Sequence, residues 1–244
     1  MGNAALTLIA VLPGADWLAL VLFFCGWAGY ARFAHVRART RPSVLASTNR
    51  ERMRWMLQTT QRENRMLDGL VTQNLSTSPS FFASTTILII GGLLAVLSTT
   101  EKASEIVREI PFAARTSILV FDLKLVLLIA IFVYAFFRFT WSVRQYSFGA
   151  LLVAGAPESR AWPDEASRQA FAQRAGRMMA LAAETFNDGL RAYYFSFAAT
   201  AWFLSPWIFI AATAGVIAVL YRREFGSEVL ALLNDDHELR HPPA

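Results

Sequence analysis

Two stretches of this chain carry no charged residue at all: Phe81 to Thr100, and Ala192 to Tyr221. Roughly 20 consecutive apolar residues suffice for an α-helix to cross the hydrocarbon core of a bilayer. Both stretches reach that length, so the chain is expected to be an integral membrane protein. Composition agrees: of 244 residues 55% are hydrophobic and 17% charged, against roughly a quarter charged in soluble domains. The predicted fold is all-α, an integral membrane four-helix bundle with long amphipathic cytoplasmic helices, and the whole chain 1–244 forms one membrane domain.

The four predicted spans cover about 15–34, 81–100, 116–137 and 194–221. Asp16 sits near one interface of the first and Arg32 near the other. Residues 1–15 contain no Lys or Arg, so a cleaved signal peptide, which needs a basic n-region, is not expected. The single cysteine, Cys25, lies in an apolar run and reads as a packing residue.

Arginine then orients the spans. Segment 32–80 carries nine arginines and segment 138–191 seven, whereas residues before the first span carry none. The loop 101–115 holds Lys102, Arg108 and Arg115, and the tail holds Arg222, Arg223 and Arg240. Cytoplasmic loops of membrane proteins are enriched in Lys and Arg. Both long connections are therefore expected in the cytoplasm and both termini outside, with a bacterial inner membrane as the location. Arg222 and Arg223 directly after the fourth span fit this orientation least well.

The connections themselves show helical periodicity. Met53, Met56, Leu57, Leu67, Leu70, Val71 and Leu75 fall on one stripe, predicting an amphipathic helix over about 48–75 that "STSPS" terminates. A second one over about 163–190 starts at "WPDEAS", where Pro163 suits a first turn and Asp164 and Glu165 suit the positive helix terminus. "NDG" at 187–189 is a candidate break before the fourth span.

The segments "RENRMLDG" (62–69), "FFASTTILIIGGLLAVL" (81–97), "FVYAFFRFTWSVRQYSF" (132–148) and "GLRAYYFSFAATAWFLSPWIF" (189–209) with "LYRREF" (220–225) resemble the domain-of-unknown-function family five-nine-nine. That family comprises small integral membrane proteins of bacteria and plants, and the resemblance runs from about Asp16 to Leu230. It implies a multi-span helical membrane protein and no particular activity.

Candidate pathway residues follow from polarity inside the apolar runs. Asp122 and Lys124 lie two residues apart, about 200° around a helix, so they do not pair with each other. One reading makes them an interfacial boundary, with Lys124 snorkelling outward. The other gives Asp122 a partner on another helix or subunit beside a polar pathway. Leu125–Phe137 alone is too short to span. In the second span Ser84, Gly91, Ala95 and Ser98, flanked by Thr85, Gly92 and Thr99, form a small-residue seam. Such a seam allows close packing inside a bundle, lines a pore, or packs around the axis of a homo-oligomer. Pro206 lacks the N–H of a helical bond and predicts a kink in the fourth span. The Trp202 carbonyl it frees is then available to water, a hydroxyl or a cation.

On the cytoplasmic side Thr60 and Asn64 interrupt the apolar stripe, either fixing register or facing a ligand. Arg144 and Gln145 are placed to meet lipid phosphates. The three histidines are His35, His237 and His241, which yields no metal or haem constellation, no cofactor and no catalytic group. No basic stripe with interleaved aromatics points to nucleic acid. The expectation is a non-enzymatic membrane protein: a homo-oligomeric channel or small-solute transporter of unknown solute, or a scaffold that docks a partner through its cytoplasmic helices.

Overall fold

The computed structural model describes residues 12–38, 40–109 and 117–240, and every regular element among them is a helix. In chain order these are α1 (Gly14–Arg37), α2 (Val44–Thr59), α3 (Met66–Ser98), α4 (Thr100–Glu109), α5 (Ile118–Ala154), α6 (Glu165–Ala201), α7 (Pro206–Phe225) and α8 (Glu228–Arg240). Three of them, α1, α3 and α5, are long and apolar enough to cross a membrane. The chain is thus an all-α membrane protein. The four-span bundle is replaced by a different partition of helices. Thr116, Arg115 and the residues before Leu12 lie outside the described residues.

The helices are longer than the spans predicted for them. At 1.5 Å per residue, the 33 residues of α3 and the 37 of α5 run to about 50 and 55 Å, well beyond a hydrocarbon core of about 30 Å. Segments read as separate cytoplasmic helices are continuous with spans. "STSPS" does not terminate anything: Pro79 lies buried inside α3, forgoing only the bond to the Leu75 carbonyl. "NDG" does not break α6 either. A Cβ at Gly189 would overlap the Phe139 ring, so the glycine is there to let α5 approach, and Asp188 pairs with Arg138. The loop expected at 101–115 begins as helix α4.

The expected amphipathic helix 48–75 is divided instead. α2 ends at Thr59, with Thr60 as its C-cap, and α3 starts at Met66. At the other end of α2, the Ser43 side chain accepts from Ala46 N, satisfying one of the donors a helix start leaves open.

By compactness the chain forms two units. The first takes Met1–Ala34, Thr86–Ala135 and Leu190–Leu220; the second takes His35–Thr85, Phe136–Gly189 and Tyr221–Ala244. Helices α1, α3, α5, α6 and α7 each contribute to both.

In the first unit, contacts along α1 fix directions. Asp16 meets Trp202, Phe23 meets Phe195, and Tyr30 lies under Arg191. Numbers rise on α1 as they fall on α6, so these two helices are antiparallel. Phe23 also meets Phe209, and Gly26 leaves room for Thr213 and Ile217, so α7 runs parallel to α1. Residues 202–205 therefore form a tight turn joining two antiparallel arms, not a kink within one fourth span. Trp202, Phe203 and Leu204 donate backbone N–H groups to carbonyls three residues back. Ser205 then accepts from Trp207 N at 3.2 Å, and Pro206 opens α7, where its missing N–H has no partner to lose.

The second unit packs α2 on α5 and α6. Met56, Tyr146, Val153, Ala172, Ala175, Met179 and Ala182 form its core. Gly176 admits Met53 and Gly149 admits Met179. The segment after Leu220 belongs to this unit: Glu224 accepts from Leu45 N, and Asn234 accepts from Arg50. The tail that was expected across the membrane from the arginine-rich connections folds with them.

Candidate functional site

The turn at 202–205 brings together two buried charged residues of the first unit, Lys124 and Asp16. Lys124, near the start of α5, is 1% exposed. Its Nζ donates to the Trp202 carbonyl at 2.8 Å and lies 5.3 Å from the centre of the Trp202 ring. The Trp202 carbonyl, just past the end of α6, thus has an ammonium as its partner. The contact also puts a cation at the carbonyl end of α6, where the helix dipole is negative. Trp202 Nε1 in turn donates to Asp16 Oδ1 at 2.6 Å, and Asp16 is 4% exposed. Asp16 stands in the first turn of α1, the positive end of that helix.

Trp202 therefore bridges a buried acid and a buried base through two different atoms. The base does not snorkel to an interface, contrary to the boundary reading of this pair. Asp122 is separate from the bridge. It is half-buried, and its Oδ1 is shielded from solvent with no hydrogen-bond partner. An ammonium carries three donors, of which the carbonyl takes one. Asp122 Oδ1 is an unused acceptor. No ion pair joins the two among the described residues.

The small-residue seam of α3 is not in this cluster. Ser84, Gly91, Gly92, Ala95 and Ser98 are exposed, and a Cβ at Gly91 or Gly92 would meet nothing. Thr85 is half-buried. The seam does not pack against the described residues. The inward side of α3 runs through Phe82, Thr86, Leu93 and Leu97, with Thr86 Oγ1 and Tyr193 Oη 2.6 Å apart. Ser98 and Thr99 return their hydroxyls to the Leu94 and Ala95 carbonyls. Cys25 is also exposed, so it packs against nothing in the core.

The second unit holds a polar hub that the sequence reading did not single out. Asp68 is fully buried, and its Oδ1 accepts from Trp55 Nε1 at 2.7 Å, Thr59 Oγ1 at 3.0 Å and Arg62 Nη1 at 2.5 Å. Arg65 donates to the Thr59, Ala156 and Pro157 carbonyls. These bonds tie the turn 60–65 to both neighbouring segments. Thr60 and Asn64 flank that turn rather than interrupting a stripe: Thr60 Oγ1 donates to the Leu57 carbonyl at 2.6 Å, and Asn64 Oδ1 accepts from Met66 N at 2.9 Å. An acid in a first turn, preceded by two arginines and an Asn, was the available signal. Arg144 is exposed and lies over the Phe148 ring, whereas Gln145 is buried and so is withdrawn from lipid phosphates.

No group of three His, Cys, Asp or Glu side chains gathers as a metal site among the described residues. The family model described as "Protein of unknown function, DUF599" matches residues 18–229 of the chain. No curated protein matches it, and no solved structure matches it.

Proposed function

We propose that this chain, which belongs to the DUF599 family of proteins of unknown function, is a homo-oligomeric channel or small-solute transporter of the bacterial inner membrane. The carrying observation is the burial of Lys124 within an apolar helix; two residues earlier, and on another face of α5, a shielded carboxylate oxygen of Asp122 has no hydrogen-bond partner. Ionisable residues within membrane helices are rare and mark ion or substrate routes by default. A turn that needed only a pin at the Trp202 carbonyl would be served by a neutral donor. The reading assigns the protein a translocation role without catalysis, cofactor, metal or nucleic acid. Three candidate spans are few for enclosing a route, so the outward small-residue face of α3 (Gly91, Ala95, Ser98) is assigned to contact between copies.

Arginine supports the orientation with the long connections in the cytoplasm. The tail joins them there, since it shares their compact unit, and this gives Arg222 and Arg223 a place the external tail did not. The test is flux through liposomes carrying the purified protein. Wild type is expected to pass ions or small solutes, and Lys124→Met and Asp122→Asn to lower the rate about tenfold or more, a barrier change of about 1.4 kcal/mol. Vesicles that stay tight with correctly folded wild-type protein refute the proposal.

A second reading, a non-catalytic scaffold, is favoured by Met66, Leu67, Leu70 and Val71, which stand exposed at the start of α3. An apolar patch of this kind suits a docking partner. Cross-linking from Leu67 in intact cells distinguishes it, and absence of any adduct counts against it.

A further inference from the structure

In the first unit a cavity of about 420 Å³ opens between α1 and α5, lined by Phe24, Trp27, Ala28, Ala31, Leu127, Ala130, Ile131 and Tyr134. Its origin is steric. The alanines are too short to fill the space between the helices, while the T-shaped pair of Trp27 and Tyr134, 5.6 Å apart, keeps the walls standing. Phe24 and Tyr134 are about half exposed, so the cavity opens outward as a groove. Along α1 it runs from Phe24 to Ala31, roughly 10 Å.

The volume falls in the range of small-ligand sites, roughly 300–1,000 Å³. Water does not suit it, because a bound water needs two to four polar partners and the lining is apolar. Both walls belong to helices apolar enough to cross a membrane, so the medium outside the groove is hydrocarbon. Unfilled, the lining would forgo its dispersion contacts on one side. One turn beyond Ala28 on α1 stands Arg32, which is exposed. A long cationic side chain next to the end of an apolar groove matches an acyl chain esterified to a glycerol that carries a phosphate.

We infer that the groove between α1 and α5 is a binding site for one acyl chain of an anionic phospholipid, with its phosphate on Arg32. The site is independent of the Lys124 cluster and of any transport role. It is tested on the full chain, stripped of lipid in detergent and titrated with palmitoyl-oleoyl phosphatidylglycerol under native mass spectrometry. Wild type is expected to take up one lipid well before the rest. Ala28→Leu and Ala130→Leu fill the groove and should weaken that first step about tenfold, whereas Val126→Leu, elsewhere on α5, should not. If the leucine variants fail to fold, Ala31→Val gives the same readout with less added volume. Arg32→Gln should weaken phosphatidylglycerol more than phosphatidylcholine of the same chains. Uptake without a distinct first step, or groove-filled variants that bind as wild type does, overturns the assignment. So does a groove-filled variant that changes the subunit number, since the occupant would then be a second copy.

Discussion

Replacing Asp68 by Ala removes the acceptor that three donors share. The bonds from Trp55 Nε1 and Thr59 Oγ1 are each worth about 1.5 kcal/mol or more, because the acceptor is ionised. Arg62 is 37% exposed on its side chain, so water screens that pair and its share stays below about 1 kcal/mol. The gross loss is about 3–4 kcal/mol. Against it stands Asp68 Oδ2, which is buried without a hydrogen-bond partner. Deleting that desolvated oxygen returns about 1–2 kcal/mol, leaving a net destabilisation of about 2 kcal/mol. For a chain of this length 1 kcal/mol corresponds to roughly 2–4 °C in Tm, so the midpoint should fall by roughly 4–8 °C. Thermal unfolding followed by far-ultraviolet circular dichroism in mild detergent measures it. Asp68→Asn keeps an acceptor at Oδ1 and should lose less. An Ala variant that melts with wild type refutes the reasoning, as does an Asn variant that is the worse of the two.

Gly189→Ala tests the close approach of α5 and α6. Ala ordinarily stabilises a helix interior by up to about 1 kcal/mol over Gly, but here the added methyl meets the Phe139 ring. The expected sign is reversed, a loss of about 1–3 kcal/mol, and Phe139→Leu in the same chain should recover much of it in a double-mutant cycle. Asp164 tests pH dependence outside the membrane. The Ser167 N–H, 2.6 Å from Asp164 Oδ1, holds this carboxyl below its ordinary value. Its folded pKa is depressed, so its contribution is present above the usual carboxylate range near pH 4 and fades as pH falls through the folded value. Asp164→Asn should flatten the acid limb of the stability curve, and a limb identical to that of wild type contradicts the assignment.

Membrane character was legible because it rests on bulk hydropathy, which no tertiary contact reverses. The apolar cores of α1, α3 and α5 lie where the charge-free and near-charge-free runs are. Helix ends were legible only where local chemistry decides them. Asp164 caps α6 as its residue type suggests, its carboxylate taking the Ser167 N–H, whereas α2 starts behind Ser43, ahead of the start near 48 that the stripe predicted. Pro79 and Gly189 misled because their usual meaning is local, whereas here continuous helices are held by packing: Pro79 is buried, and Gly189 admits Phe139. The turn at 60–65 was hidden by an apolar stripe that happens to continue across it. The partner of Lys124 was half legible. An available Trp202 carbonyl was expected from the sequence, but that a turn rather than a kink leaves it open, which cation reaches it, and that Asp16 lies on the far side of Trp202, depend on contacts between residues 78 and 186 positions apart in the chain.

Reversing direction at Leu204 makes the 190–225 segment two antiparallel arms. The segment beyond Phe225 then lies against α2, held by the bonds from Leu45 to Glu224 and from Arg50 to Asn234. A reporter fused after Ala244 and one inserted at Arg41 should give the same signal, and any domain joined to that terminus would work next to the α2 surface.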